Sequence, residues 1–190
     1  MTNGRVNQKL RTRTEILRAA AELIRTGRDV TMIDIAKAAL VSEATAYRHF
    51  PDLPSLLAET LTSQTSAAAL ATTLDSDDPV QRVALATERL LRHVLTYQGA
   101  VRAMIAATIT RPATAQSRPG LRFGLIDTAL APLADTLDPA AFAQLKNDLA
   151  VVVSAEALFS LTDLVGLTPD AAVASAVHTA TTLVSAALRG

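Results

Sequence analysis

Six polar or charged side chains lie close together between residues 42 and 49 of this chain; they are Ser42, Glu43, Thr45, Tyr47, Arg48 and His49. Helical spacing places Ala46 and Phe50 on the opposite side. A helix this short, with so few apolar residues, would contribute little to a core. Arginine is the commonest bidentate reader of guanine, and hydroxyl groups bind phosphate oxygens. The pattern is typical of a helix that contacts a DNA groove.

Two neighbouring helices would have to position these side chains. Thr31 and Asp34 have the spacing of a capping box, and an apolar face follows at Met32, Ile35, Ala36 and Ala39. Ser42 is a second N-cap candidate, about three residues later. We expect an earlier helix, from Thr12 or Thr14 to about Thr26 with Gly27 just beyond its end, to pack beneath both with the stripe Ile16, Leu17, Ala20, Leu23 and Ile24. This order predicts a helix-turn-helix, whose second helix enters the major groove.

The motif resembles the TetR family of one-component transcriptional repressors. The resemblance covers roughly residues 13–57 and is carried by Thr31, Ile35-Ala36, Val41-Ser42, Thr45, Tyr47 and His49-Phe50. Leu40 stands where the family usually has glycine, and a left-handed residue there would cost on the order of 1–2 kcal/mol. Leu53 stands where the family often has a phosphate-holding lysine. We therefore expect fewer phosphate contacts from the fourth helix.

The resemblance implies roles for the residues of the motif. Thr31 belongs to the DNA-contacting set, and four further residues resemble phosphate or groove-edge contacts: Ser42, Thr45, Tyr47 and His49. Glu43, Ala44 and Arg48 resemble the variable positions that face the bases. Glu43 could accept from a cytosine amino group, or could only stabilise the positive N terminus of its helix. His49 taken alone would be an ordinary surface histidine.

Charge is unevenly distributed along the chain. Residues 1–50 contain nine Lys and Arg against five Asp and Glu, while residues 51–190 contain nine and thirteen. A basic first third fits a DNA-binding head, although a solvated charged helix would give the same count. Residues 1–12 are expected to form a flexible arm that either reaches the DNA or only aids solubility.

Several classes of protein are disfavoured by the sequence. It contains no cysteine, no signal-peptide pattern and no run of 18 apolar residues, which predicts a cytoplasmic protein. It has no Gly-rich phosphate loop and no cluster with metal-ligand spacing, so we expect no enzyme activity, catalytic residue, metal or cofactor. A helical adaptor or dimerisation protein without DNA binding and a TetR-like activator remain as alternatives.

The whole chain is predicted to be all-α, with about nine helices. Residues 1–53 would form the helix-turn-helix DNA-binding domain, and residues 54–190 an effector-binding and dimerisation domain. Later helices are predicted over residues 54–73, 79–97, 100–110, 121–136, 138–165 and 168–188, with a loop over 111–120. The last two are rich in alanine, and the resemblance implies that they form the interface of a homodimer.

The resemblance also implies a small-molecule effector bound among the fourth to eighth helices. The candidate ligand-binding residues are polar or bulky ones in apolar surroundings: His93, Tyr97, Met104, Phe123, Asp127 and Glu156. Ordinary core or surface packing is the alternative for each. Glu156, within VVVSAEALF, is expected to be a buried carboxylate that pairs with Arg102, Arg122 or a cationic ligand. The scarcity of aromatic residues favours an aliphatic or modest-sized ligand.

Overall fold

The structure, a computed structural model, describes residues 3–71, 74–110 and 120–189, and this part of the chain is helical without a strand. The all-α prediction is confirmed. Eleven α-helices occur in these residues where about nine were predicted: α1 Asn3–Ile24, α2 Met32–Ala38, α3 Glu43–His49, α4 Leu53–Gln64, α5 Ala67–Ala71, α6 Pro79–Thr96, α7 Gln98–Thr110, α8 Leu121–Leu130, α9 Pro139–Val152, α10 Ala155–Phe159 and α11 Pro169–Ala187.

The described residues form two compact units. One contains residues 3–64 and 96–110, and the other contains 65–71, 74–95 and 120–189. Helices α1 to α4 and α7 therefore belong to the first unit; α5, most of α6 and α8 to α11 belong to the second. The functional boundary predicted between residues 53 and 54 stays a prediction.

The core of the first unit is built from the apolar faces that the sequence predicted. One cluster joins α1, α2, α3 and α4 through Ile16, Ala20, Met32, Ile35, Ala36, Ala46, Phe50 and Leu56, all of which are buried. A second cluster attaches α7 through Ile24, Leu57, Ala100 and Met104. The three short helices α2, α3 and α4 are thus held by burial against one long helix rather than by their own length.

The prediction of a flexible arm before a helix starting at Thr12 or Thr14 is wrong for the described residues. Helix α1 begins at Asn3. The Thr12 hydroxyl donates to the carbonyl oxygen of Gln8, and the Thr14 hydroxyl to that of Leu10, each one turn earlier in the helix. The two threonines therefore bond within the helix instead of capping it.

The second unit is organised around α6, α8, α9 and α11. Its buried cluster includes Val83, Leu90, Leu125, Leu130, Leu149, Val153, Ala180 and Val184. Asp138 and Thr168 cap α9 and α11 with proline at the next position, as predicted. No helix in the described ranges is both long and apolar enough to pass through a membrane.

Three predicted helices prove to be shorter. The helix predicted over 54–73 is α4 and α5, and the Ser66 hydroxyl accepts from the Ala69 amide at the start of α5. The helix over 121–136 ends at Leu130 and continues as a 3₁₀ turn, Ala131–Leu133. The helix over 138–165 breaks where Ser154 caps α10, which passes into a π-helical turn, Ser160–Leu164. Residues 111–119 of the predicted loop lie outside the described residues.

Candidate nucleic-acid interface

Helix α2 begins with the predicted capping box. The Asp34 amide donates to the Thr31 hydroxyl (3.2 Å), and the Thr31 amide donates to the Asp34 carboxylate (3.0 Å). The Thr31 hydroxyl also donates to that carboxylate (2.6 Å), and these hydrogen bonds lower the pKa of Asp34 below its usual value. Thr31 therefore has a clear structural role, while its exposure leaves a DNA contact open as a prediction.

The turn between α2 and α3 is a Schellman motif with leucine in the left-handed position. Leu40 has φ 54°, its amide donates to the carbonyl oxygen of Lys37 (3.2 Å), and the Val41 amide donates to that of Ala36 (3.0 Å). Leu40 is 93% exposed. The chain thus keeps the conformation that glycine favours and places an apolar side chain in solvent.

Helix α3 exposes the polar side that the sequence predicted. The Ser42 hydroxyl caps it by accepting from the Thr45 amide, and Ala46 is its buried residue, followed by buried Phe50. Thr45 and His49 are partly buried, and the exposed residues are Ser42, Glu43, Ala44, Tyr47 and Arg48. A seven-residue helix with one buried side chain offers most of its surface to a partner.

Hydrogen bonds along α3 arrange part of this exposed surface. The Arg48 guanidinium donates to the Thr45 hydroxyl (2.7 Å), and the Ser42 and Thr45 hydroxyl oxygens are 2.8 Å apart. Arg48 forms no ion pair with a carboxylate of the described residues, so its charge is available to a phosphate or a base edge. Glu43 lies in the first turn, where it suits both the helix dipole and a base contact.

His49 closes α3 in surroundings that disfavour its charged form. Burial lowers its pKa below the usual value, and the positive charges of Lys9, Arg13 and Arg48 lower it further. The Nδ1 atom is buried and has no hydrogen-bond partner in the described structure. Because Nδ1 is buried, any phosphate contact of His49 would use Nε2.

The start of α4 shows how Leu53 is used at the position where the family often has a lysine. Asp52 accepts from the Ser55 amide (2.8 Å), as the predicted helix entrance requires. Leu53 is partly buried and packs against both apolar clusters of the first unit. Its side chain therefore belongs to the core, where a lysine ammonium could not remain without cost.

Sequence reasoning missed Arg13 of α1, which contacts the end of α3. Its guanidinium donates to the carbonyl oxygen of His49 (2.8 Å) and forms an ion pair with Glu59 of α4. Both partners lie more than 30 residues away in sequence, so no local spacing could have indicated the contact.

The predicted ligand-binding residues are divided between the two units. In the first unit, buried Met104 and partly buried Tyr97 pack with Ile24 and Leu57, which matches the core-packing alternative. In the second unit, His93 is partly buried, and this burial lowers its pKa. The remaining three are exposed: Phe123, Asp127, which pairs with Lys146, and Glu156.

Glu156 is not the buried carboxylate that its apolar surroundings predicted. Its side chain is 49% exposed, because it lies in the first turn of α10 and not inside one continuous helix. Arg122, one of the partners considered, pairs with it, and the guanidinium lies 2.9 Å from the carboxylate. The Arg122 guanidinium also lies 5.0 Å from the centre of the Phe123 ring.

A small apolar cavity lies inside the second unit. Its volume is about 10 Å³, roughly the space for one water molecule. None of the six predicted ligand residues lines it; the lining residues are Val83, Ala86, Thr87, Leu125, Ile126, Ala129, Leu149 and Val153. A larger ligand entering there would have to displace these side chains, and the predicted ligand set stays a prediction.

Comparison with known proteins agrees with the helix-turn-helix geometry. Residues 16–60, from α1 to α4, match the bacterial regulatory proteins of the tetR family. The chain is similar to an uncharacterized HTH-type transcriptional regulator of Mycobacterium bovis, with 39% identity over 89 residues. The aligned part is 44% of this chain and 47% of the relative, so the chain spans about half of that relative. Residues 16–60 therefore form a helix-turn-helix segment similar to that of the bacterial regulatory proteins of the tetR family.

Proposed function

We propose that this protein is a transcriptional repressor that binds a specific double-stranded DNA operator through α3. The observation that carries the proposal is the exposed polar side of α3, opposite a single buried alanine. Tyr47 and Ser42 would contact the phosphate backbone, and Arg48 would face the bases. The excess of positive charge in residues 1–50 would add attraction to DNA of any sequence.

The repressor would act as a homodimer through the last helices. Side chains that a monomer leaves in solvent support this: Val151 of α9, then Leu164, Val165 and Leu188 are 47–83% exposed. Helices α9 and α11 already pack on each other within one chain, so a second pair could extend the same layer. Two copies of α3 about 34–36 Å apart would match an inverted repeat with one DNA turn between half-sites.

A small molecule would release the DNA by favouring another conformation of the dimer. One cavity of the second unit has an apolar lining and a volume of about 10 Å³, too small for such a ligand. A ligand that binds better to an opened form would shift the population toward that form. Linkage then requires that DNA and ligand weaken each other's binding by the same factor.

Selection of bound duplexes from a random DNA pool at physiological salt tests the proposal. We expect enrichment of an inverted repeat. Non-specific complexes have a Kd of only about 10⁻⁴–10⁻⁶ M and are lost during selection. A Tyr47→Ala/Arg48→Ala variant, whose exposed substitutions should preserve the fold, is the matched control and should enrich nothing. A folded wild-type dimer that enriches no sequence would contradict the proposal and favour the adaptor alternative.

An enriched duplex, labelled with a fluorophore, then allows the effector to be sought. The fluorescence anisotropy of the protein-bound duplex is measured in the presence of each compound of a panel of aliphatic and modest-sized aromatic molecules. A compound that lowers anisotropy with the protein still folded supports release by ligand. Placing the duplex upstream of a reporter gene distinguishes repression from activation by the direction of the change.

A further inference from the structure

Arg13 connects three helices of the first unit at the end of α3. Its Nη1 atom donates to the carbonyl oxygen of His49 (2.8 Å), and its Nη2 atom pairs with the Glu59 carboxylate on α4. The centre of the guanidinium lies 4.2 Å from the centre of the Phe50 ring. Hydrogen bond, ion pair and cation–π contact thus use different parts of one planar side chain.

The His49 carbonyl is a group that α3 cannot satisfy alone. It belongs to the last turn, where carbonyl oxygens have no partner within the helix. A cation there also suits the negative end of the helix dipole. Ser42 holds the first turn of α3 by a hydrogen bond, and Arg13 holds the last.

A helix of seven residues has little stability of its own, so these contacts at its ends add to the burial of Ala46 in fixing its orientation. We propose that Arg13 is a positioning residue for DNA recognition: it fixes α3 between α1 and α4 and acts on affinity without touching the DNA. This inference rests on the proposed function. It adds a residue outside α3 to those that determine DNA affinity.

The first test measures, without DNA, how firmly the last turn of α3 is held. The Phe50 amide donates to the carbonyl oxygen of Ala46 in the last turn of α3 (2.9 Å), so its hydrogen exchange reports opening of that turn. Arg13→Met removes the donors and keeps an apolar stem. We expect faster exchange at Phe50 and unchanged exchange in α2. Unchanged exchange at Phe50 would overturn the inference, even if no operator is ever found.

Arg18→Met is the matched control for that measurement. Arg18 lies on the same helix and forms exposed ion pairs with Glu15 and Glu22, so the charge change is identical. It should leave the exchange of Phe50 unchanged. An equal increase in both variants would show that charge alone matters and would overturn the positioning role.

The second test uses the duplex enriched by the selection experiment. Loss of a charged hydrogen bond predicts that Arg13→Met weakens binding about 10- to 100-fold. The slope of log affinity against log salt should stay unchanged, because a lost phosphate contact would reduce it by about one. A slope reduced by one would assign Arg13 to the phosphate backbone and overturn the inference. Failure of the wild type to enrich any duplex would overturn the proposed function instead.

The third test examines the connection to α4. Glu59→Ala should weaken binding less than Arg13→Met, because the bond to His49 remains. The Arg13→Met/Glu59→Ala double variant should bind as Arg13→Met does, since the two side chains act as one unit. Additive losses would overturn the connection through Arg13. Arg13→Lys should recover part of the affinity, because one ammonium cannot reproduce the guanidinium fork.

Discussion

Leu40 is the one non-glycine residue with positive φ among residues 3–71, 74–110 and 120–189. Its two backbone hydrogen bonds complete the end of α2, so the turn keeps the left-handed residue at an energetic cost. The side chain is almost fully exposed and offsets none of that cost by burial. Strain at this position should therefore be removable without loss of packing.

Replacing Leu40 with glycine should stabilise the protein. At the middle of each range, relief of about 1.5 kcal/mol of strain exceeds the extra entropy of an unfolded glycine, about 0.75 kcal/mol, so we expect a net gain of about 0.5–1 kcal/mol. Urea denaturation followed by circular dichroism measures it.

Two variants control for that gain. Leu40→Ala shortens the side chain but keeps the strain, so it should give no gain. Gly27 has φ 71° and nothing within 4 Å of an added Cβ, so Gly27→Ala should cost about 1 kcal/mol by strain alone. An unchanged free energy of unfolding in Leu40→Gly would show that this turn is not strained.

Arg48 and Tyr47 should affect DNA binding in different ways. Arg48 must leave the Thr45 hydroxyl to reach a base, and Arg48→Ala should then cost about 1–3 kcal/mol at one base pair of each half-site. Tyr47→Ala should weaken binding to all sequences, because it removes a backbone contact. Quantitative binding to a set of single-base operator variants separates the two. An altered base preference in Tyr47→Ala at unchanged affinity would contradict this assignment.

Helix boundaries could be predicted from sequence where side chains signal them locally. Thr31, Ser42, Asp138 and Thr168 all cap the helices that they were expected to cap. The start of α1 was not predicted because Val6 and Leu10 are more than half exposed. The first turns of this helix therefore have no buried face, and the sequence shows no helical period of apolar residues there. Ser154 was missed as a cap because it lies in an apolar, alanine-rich run.

Contacts between distant elements could not be predicted from one sequence. The composition of α3 indicated its exposed side, but nothing local linked Arg13 to His49 or Glu59. The predicted ligand residues show the same limit. An apolar neighbourhood in sequence did not bury Glu156, because a helix break turned it toward solvent. Local chemistry indicated the exposed polar side of α3, and tertiary packing decided the rest.

Arg82 of α6 joins two elements of the second unit. Its guanidinium donates to the carbonyl oxygens of Thr128 (2.7 Å) and Ala129 (3.1 Å) in the last turn of α8. It also donates to those of Leu74 and Ser76, which precede α6. No carboxylate of the described residues pairs with it, and these hydrogen bonds all go to backbone carbonyl oxygens, whose dipoles suit a positive charge.

Arg82→Met should destabilise the second unit. Hydrogen bonds from a charged donor contribute about 1.5–3 kcal/mol, and we expect a loss in that range because the freed carbonyls can partly rehydrate. Urea denaturation gives the free energy of unfolding. Arg92→Met on the same helix removes exposed ion pairs with Glu88 and Asp170 and should cost about 0–1 kcal/mol. Equal losses in the two variants would contradict a special role for Arg82.

At the scale of the whole molecule, the proposed function depends on two copies. One α3 presents few side chains, and a single head should bind DNA weakly. The apolar side chains that stay exposed near the C terminus are a cost to a monomer in water, since exposed apolar area favours association. Dimerisation would bury them and supply the second half-site contact together.

Charged substitutions at these exposed apolar side chains should therefore separate folding from assembly. Val151 and Leu164 are 71% and 83% exposed, so a Val151→Glu/Leu164→Glu variant should fold normally but sediment at the monomer mass of 20.0 kDa. Its affinity for the enriched duplex should fall at least about tenfold, because one half-site contact is lost. Ile33→Glu, 60% exposed on α2, is the control for added charge and should stay dimeric. A dimer that survives the double substitution would move the interface away from these residues.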